Sequence, residues 1–193
     1  MSSRDTILNN IRKNVPSSTI ELPETNISHM QYADKNEKFS TSLKSVGGNA
    51  VWLKDQTVED FVKEHYSNLE VIVSTQKDTP YVTKEISDIE DPHELENVDL
   101  AVVEGHFAVA ENGAVWIKNS ENRHRALYFL ATQLLIVVKK ENIFDTMHEA
   151  YEKINFEEAG YGLFISGPSK TADIEQALVI GAHGPTDACV LFV

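Results

Sequence analysis

The sequence predicts an α/β fold: a mainly parallel sheet covered on both faces, with a β-hairpin and an N-terminal helical leader. Short apolar runs with little polar alternation recur from residue 50 onward, which is how strands buried on both faces read. Helical stretches separate several of these runs, as parallel strands joined by crossovers require. Asn112-Gly113 stands between two further apolar runs, a strong short-range hairpin signal.

Taken in order, residues 3–15 place Ile7, Leu8, Ile11 and Val15 on one stripe at helical spacing, so they read as an amphipathic helix. Residues 16–32 hold two prolines and many Ser, Thr and Asn, the composition of an arm crossing a surface. A second helix carries Phe39, Leu43 and Val46 and ends at Gly47-Gly48. The expected division is a helix and extended arm over 1–35 and one α/β domain over 36–193. Strands are expected at 50–53, 70–74, 98–103, 114–117, 134–138, 162–166 and 188–193, with helices at 57–66, 142–154 and 171–180.

Composition narrows the function. The 193 residues hold 17 Lys plus Arg and 30 Asp plus Glu, a net charge of −13, with 41% hydrophobic residues. A chain this acidic repels phosphate backbones and anionic lipid, which argues against nucleic-acid and membrane partners. One cysteine, Cys189, cannot by itself supply an intrachain disulfide, a Cys-rich zinc site or a four-cysteine iron–sulfur cluster. The start lacks the basic and apolar stretches of a secretory signal, and the run 134–138 is too short to span a bilayer, so the expected location is cytoplasmic. Eight acids and no Lys or Arg lie between Glu85 and Glu104, which reads as a solvated face. Seven of nine glycines lie at or beyond Gly105, so loop chemistry should concentrate in the C-terminal half.

Two segments could carry chemistry. Over 162–185 an apolar strand ends at Ser166, and Gly167-Pro168-Ser169-Lys170-Thr171 turns the chain toward an expected helix with Thr171 as N-cap and Asp173 in its first turn. Such a junction offers free N–H groups to an anion at the carboxyl end of a strand; it is equally a capped helix with nothing bound. His183, between Gly181 and Gly184, is placed to aim an imidazole into a cleft or to hold a carbonyl. The second segment, 105–117, carries Glu111 beside the Asn112-Gly113 turn. Arg123 and Arg125 follow as either an oxyanion clamp or two solvated cations. No histidine spacing makes a metal motif.

GHFAVAENGAVWI (105–117) and SGPSKTADIEQALVIGAHGP (166–185) together resemble the LUD domain, the lactate-utilisation protein C family. The resemblance implies a Rossmann-like three-layer α/β sandwich, the NagB/RpiA/CoA-transferase-like fold shared by ribose-5-phosphate isomerase, coenzyme A transferases and 5-formyltetrahydrofolate cyclo-ligase. It implies an accessory subunit for oxidation of lactate to pyruvate beside iron–sulfur partner subunits, with no cofactor in this chain. The alternative is a stand-alone enzyme for a phosphorylated, acyl-CoA or folate-like substrate. Relatives commonly read Glu-Thr-Gly-Thr or Glu-Ser-Gly-Thr where this chain has Glu111-Asn112-Gly113-Ala114, so two hydroxyls are lost. The expected pocket for a small anion combines Glu111, Asn112 and Gly113 with Gly167, Ser169, Thr171, Asp173, Glu175, His183 and Gly184. In it His183 is the titrating group, and Glu111 its acid–base partner or a latent nucleophile. The two key loops are expected at the carboxyl edge of the sheet, and a homodimer is the expected assembly for the arm to cross.

Overall fold

In the computed structural model, residues 2–15, 30–76, 79–118, 124–155, 160–171, 179–181 and 183–193 are described. Five strands make the central sheet: β1 (Asn49–Trp52), β2 (Ile72–Ser74), β3 (Leu100–Glu104), β6 (Gln133–Val138) and β11 (Asp187–Phe192). Their order is β1-β11-β6-β3-β2, and every pairing is parallel. A second sheet, β7-β4-β5-β8, joins β7 (Ile143–Phe144), β4 (Phe107–Val109), β5 (Ala114–Lys118) and β8 (Gly162–Ile165). The predicted hairpin is β4–β5, with Val109 opposite Ala114.

Period-2 alternation assigns the two faces of the central sheet to different layers. Leu134, Ile136 and Val138 face one core with Ala101, Val103, Val190 and Phe192. The inner side of the second sheet (Ala108, Val115, Ile117) packs there, with Phe39 and Leu43 of α2 (Lys35–Ser45) and Leu127 and Tyr128 of α4 (Leu127–Leu130). Leu135 and Val137 face the other core with Leu100, Val102, Cys189 and Leu191, under Phe61 and Val62 of α3 (Val58–His65). The outer side of the second sheet (Phe107, Val109) lies against Ala150 of α5 (Met147–Glu152). The first two cores put the central sheet between apolar layers, as buried parallel strands need.

The local signals that form these helices are visible. Thr57 and Asp60 form a capping box on α3, and Ser2 and Asp5 form one on α1 (Ser3–Asn14). Yet α1 buries no residue, and Ile7, Ile11 and Val15 are more than half exposed. The acidic stretch folds as two 3₁₀ turns, 86–88 and 92–97, that bury Ile89, Leu95 and Val98 and leave most of the carboxylates outside.

Three expectations are corrected. The run at 162–165 pairs antiparallel with β5, so it belongs to the second sheet rather than the parallel one. The helix expected over 142–154 begins only at Met147, because Ile143 and Phe144 extend the second sheet by pairing with Ala108 and Val109. Finally, the stretch expected as a helix over 171–180 has strands at its ends: Lys170–Thr171 (β9) runs extended and pairs antiparallel with Val179–Ile180 (β10), while 172–178 lie outside the described residues.

Candidate functional site

The two segments singled out by sequence meet through the Ser166 hydroxyl, which donates to the Asn112 carbonyl oxygen at 2.8 Å. Beyond Ser166, Gly167 turns the chain at φ 73°, and a side chain there would press on the Val46 carbonyl oxygen at 2.8 Å. A side chain on Gly184 would fall 2.9 Å from the Ser169 Cβ and 3.2 Å from the Phe129 carbonyl oxygen. Gly167 lets its own loop approach the end of α2, and Gly184 lets the 183–185 loop approach the 166–169 loop and α4. Between them lies a cleft of about 280 Å³ lined by Tyr128, Phe129, Ser166, Ser169, His183 and Gly184, with Gly167 in the same wall. Four of the expected site residues, Gly167, Ser169, His183 and Gly184, therefore share one cavity. The Thr171 side chain, Asp173 and Glu175 lie outside the described residues.

The cleft sits at the amino edge of the central sheet, not the carboxyl edge. Residues 183–185 lead into β11, and Tyr128 and Phe129 precede β6, so both walls are entrances to strands. The 166–171 loop does follow a strand, but one of the second sheet. The backbone of Ser169 is also spoken for. Its N–H donates to the Pro185 carbonyl at 2.8 Å and its carbonyl accepts from Gly181 N–H at 2.9 Å. An anion at this point would be held by side chains rather than by that amide.

The hairpin loop has its own partners. The Glu111 carboxylate accepts the Met147 N–H at 2.8 Å, at the first residue of α5, and Glu111 N–H donates to the Asp145 carbonyl at 3.0 Å. The Asn112 side-chain oxygen accepts from Ala114 N–H at 3.1 Å, an Asx turn that holds the bend before Gly113 (φ 69°). Ser42 of α2, which sequence reading passed over, donates its hydroxyl to the Ala110 and Glu111 carbonyls at 2.9 and 3.2 Å. A small polar residue beside Leu43 on an otherwise apolar stripe was the only signal of it.

Cys189 lies in β11, and burial, with a smaller push from Asp187, raises its thiol to about 12. It is a protonated, inert group at neutral pH. Among the described residues no set of three His, Cys, Asp or Glu side chains converges as a metal site. No helix among the described residues is long and apolar enough to cross a membrane.

A family model described as the LUD domain matches residues 36–193. Lactate utilization protein C of Bacillus pumilus (strain SAFR-032) is 36% identical over 110 residues, 51% of this chain and 46% of that protein. The protein of the same name from Anoxybacillus flavithermus (strain DSM 21510 / WK1) is 28% identical over 148 residues, 76% of this chain and 64% of its own length. The chain spans about half the length of most of the curated relatives it matches. The crystal structure of a DUF162 family protein from Deinococcus radiodurans superposes with a TM-score of 0.67 at 16% identity, over 86% of this chain and 99% of that one. At that identity the likeness establishes the fold.

Proposed function

The chain belongs to the LUD domain family, and from that membership we propose that it serves lactate utilisation, as an accessory subunit that binds a small 2-hydroxy acid or its keto product beside iron–sulfur partner proteins. The observation that carries this reading is the match to relatives named Lactate utilization protein C. The cleft at the amino edge fits the role in scale, because a small carboxylate needs only part of its volume.

Oxidation of lactate to pyruvate removes two electrons and two protons. The chain's one cysteine, buried and protonated, offers no thiolate set for a cluster, so clusters held by the partners would take up the electrons. This chain's share is binding and proton handling. The Ser169 hydroxyl donates to the carboxylate, the His183 imidazole, exposed at the rim, accepts the substrate hydroxyl proton, and the C2 hydrogen would leave with the electron pair to the acceptor that the partners supply. Glu111 acts as a positioning residue, since its carboxylate is tied to the start of α5.

Growth on lactate of a strain relying on this gene tests the reading. His183→Ala and Ser169→Ala should melt like the parent and slow growth. Parent-like growth of both folded variants refutes the assignment of the cleft. Turnover of an acyl-CoA or folate by the purified chain alone refutes the accessory role.

A further inference from the structure

We propose that the open edge of the central sheet, strand β1, pairs antiparallel with the same strand of a second copy about a twofold axis at Val51, joining two five-stranded sheets into one. The chain treats the two edges of this sheet differently. At β2, Ile72 points its peptide groups away from β3, and the loop that follows closes on them. Its N–H donates to the Thr83 hydroxyl oxygen at 2.8 Å, and its carbonyl accepts from Thr83 N–H at 3.0 Å. That edge is capped.

At β1 the alternation of the ladder decides which groups face out. Leu53 N–H donates to the Phe192 carbonyl at 2.9 Å, so Asn49 and Val51 also turn their peptide groups to β11, and Ala50 and Trp52 turn theirs outward. Among the described residues no hydrogen bond reaches these two N–H and two C=O groups. Edge strands are commonly protected by Lys, Pro or a bulge. Residues 49–53 (NAVWL) hold no charge and no proline, and the pairing of β1 with β11 is unbroken.

One antiparallel register uses the whole row. With Val51 opposite itself, Ala50 lies opposite Trp52 of the copy, and each such pair exchanges two N–H···O=C bonds. Within β1, a shift by two residues leaves half of the outward groups bare. The side chains agree, because the smallest residue of the strand meets the largest on the face shared with α2. Charge agrees as well. Trp52 Nε1–H donates to the Ser40 hydroxyl at 3.3 Å and Leu43 lies against Gly48, so α2 runs antiparallel to the strand beneath it. The twofold axis then sets two α2 helices antiparallel to each other. On each, Glu37, Thr41 and Lys44 are exposed on one helix face, and Glu37 lines a groove with Trp52 and Lys54. The Glu37 of one copy thus comes to the Lys44 of the other, twice.

Light scattering of the full chain should give the mass of two chains. Val51 and its copy form a non-hydrogen-bonded pair with Cα atoms about 4.5 Å apart, within disulfide reach. Val51→Cys should therefore cross-link two chains under mild oxidation, while Ala50→Cys, out of register with itself, should not; the native Cys189 is buried and does not compete. Ala50→Pro removes an outward N–H, which an edge strand tolerates, and should give a folded single chain. Lys44→Glu should weaken the dimer about tenfold by setting like charges together, and adding Glu37→Lys should restore it. If Ala50→Pro fails to fold, the cross-link and the charge swap still decide. A single-chain mass at near-millimolar protein overturns the proposal. So does Val51→Cys that cross-links no faster than Ala50→Cys, a dimer that keeps its affinity with a folded Ala50→Pro, or a loss in Lys44→Glu that Glu37→Lys does not rescue.

Discussion

Replacing Gly113 with alanine should destabilise the protein more than any other single-methyl change in the hairpin. Gly113 sits at φ 69°, where an L side chain costs about 1–2 kcal/mol. Its new Cβ would also fall 2.6 Å from the Leu43 nitrogen and 2.7 Å from the Leu43 Cα. Both are backbone atoms of α2 and cannot rotate aside, so the loop must back away. Overpacking of this kind costs about 1–3 kcal/mol. The two add to roughly 2–5 kcal/mol, and at about 2–4 °C per kcal/mol for a chain of this size the midpoint should fall by roughly 4–20 °C. The control is Gly160→Ala, at φ 151° with no atom of the described residues within 4 Å of its Cβ, which carries a positive φ without the clash on α2. Urea unfolding and thermal melting of both variants decide the matter. A Gly113→Ala protein no less stable than Gly160→Ala would show that the loop is not seated on α2 as described.

Other expectations follow from the same geometry. Ser42→Ala should cost about 1–3 kcal/mol in urea unfolding, because it strips a hydrogen bond from two loop carbonyls beneath a nearly buried side chain. Stability should decline at alkaline pH. The folded Cys189 thiol keeps its proton to about 12 against an ordinary 9.0, so its contribution is intact below 9.0 and is lost as pH rises toward 12. Burial raises Tyr66 in the same direction, and Cys189→Val should flatten part of the decline in a pH series of unfolding midpoints.

Much of the architecture is legible because its signals are local. The Thr57 cap with Asp60 three residues on, the unbroken apolar run at 134–138, and Asn112-Gly113 between apolar stretches each name their element without help from the rest of the chain. What escapes is partner choice. Gly162–Ile165 reads as a buried strand whichever sheet takes it, and only pairing with β5 decides. Ile143 and Phe144 keep helical spacing with Met147, yet an open edge on β4 claims them as strand. Thr171 and Val179, near the two ends of the stretch read as a helix, pair across strands, a contact that no local capping signal announces. At the site, Ser169 and His183 were readable as polar groups among glycines, whereas Tyr128 and Phe129 enter through a chain reversal that no short window contains.

The two motif segments therefore divide the labour. The 105–117 segment is chiefly a joint: Glu111 holds the start of α5, Gly113 seats against Leu43, and Asn112 offers its carbonyl to Ser166. The departure from a hydroxyl at 112 costs this joint little, because the Asn112 side-chain oxygen accepts the Ala114 N–H as a Ser or Thr hydroxyl would in the corresponding turn. Ala114 is nearly buried against the core, so a hydroxyl there would face packed side chains rather than the cleft. The 166–185 segment supplies the wall, with Ser169 and His183 in it. A joint that fixes the wall by one hydroxyl, Ser166 to Asn112, couples the second sheet to the cleft. If the cleft binds the proposed carboxylate, displacing the hairpin loop by Gly113→Ala should weaken that binding without touching a lining side chain, which calorimetric titration of lactate into the folded variant checks.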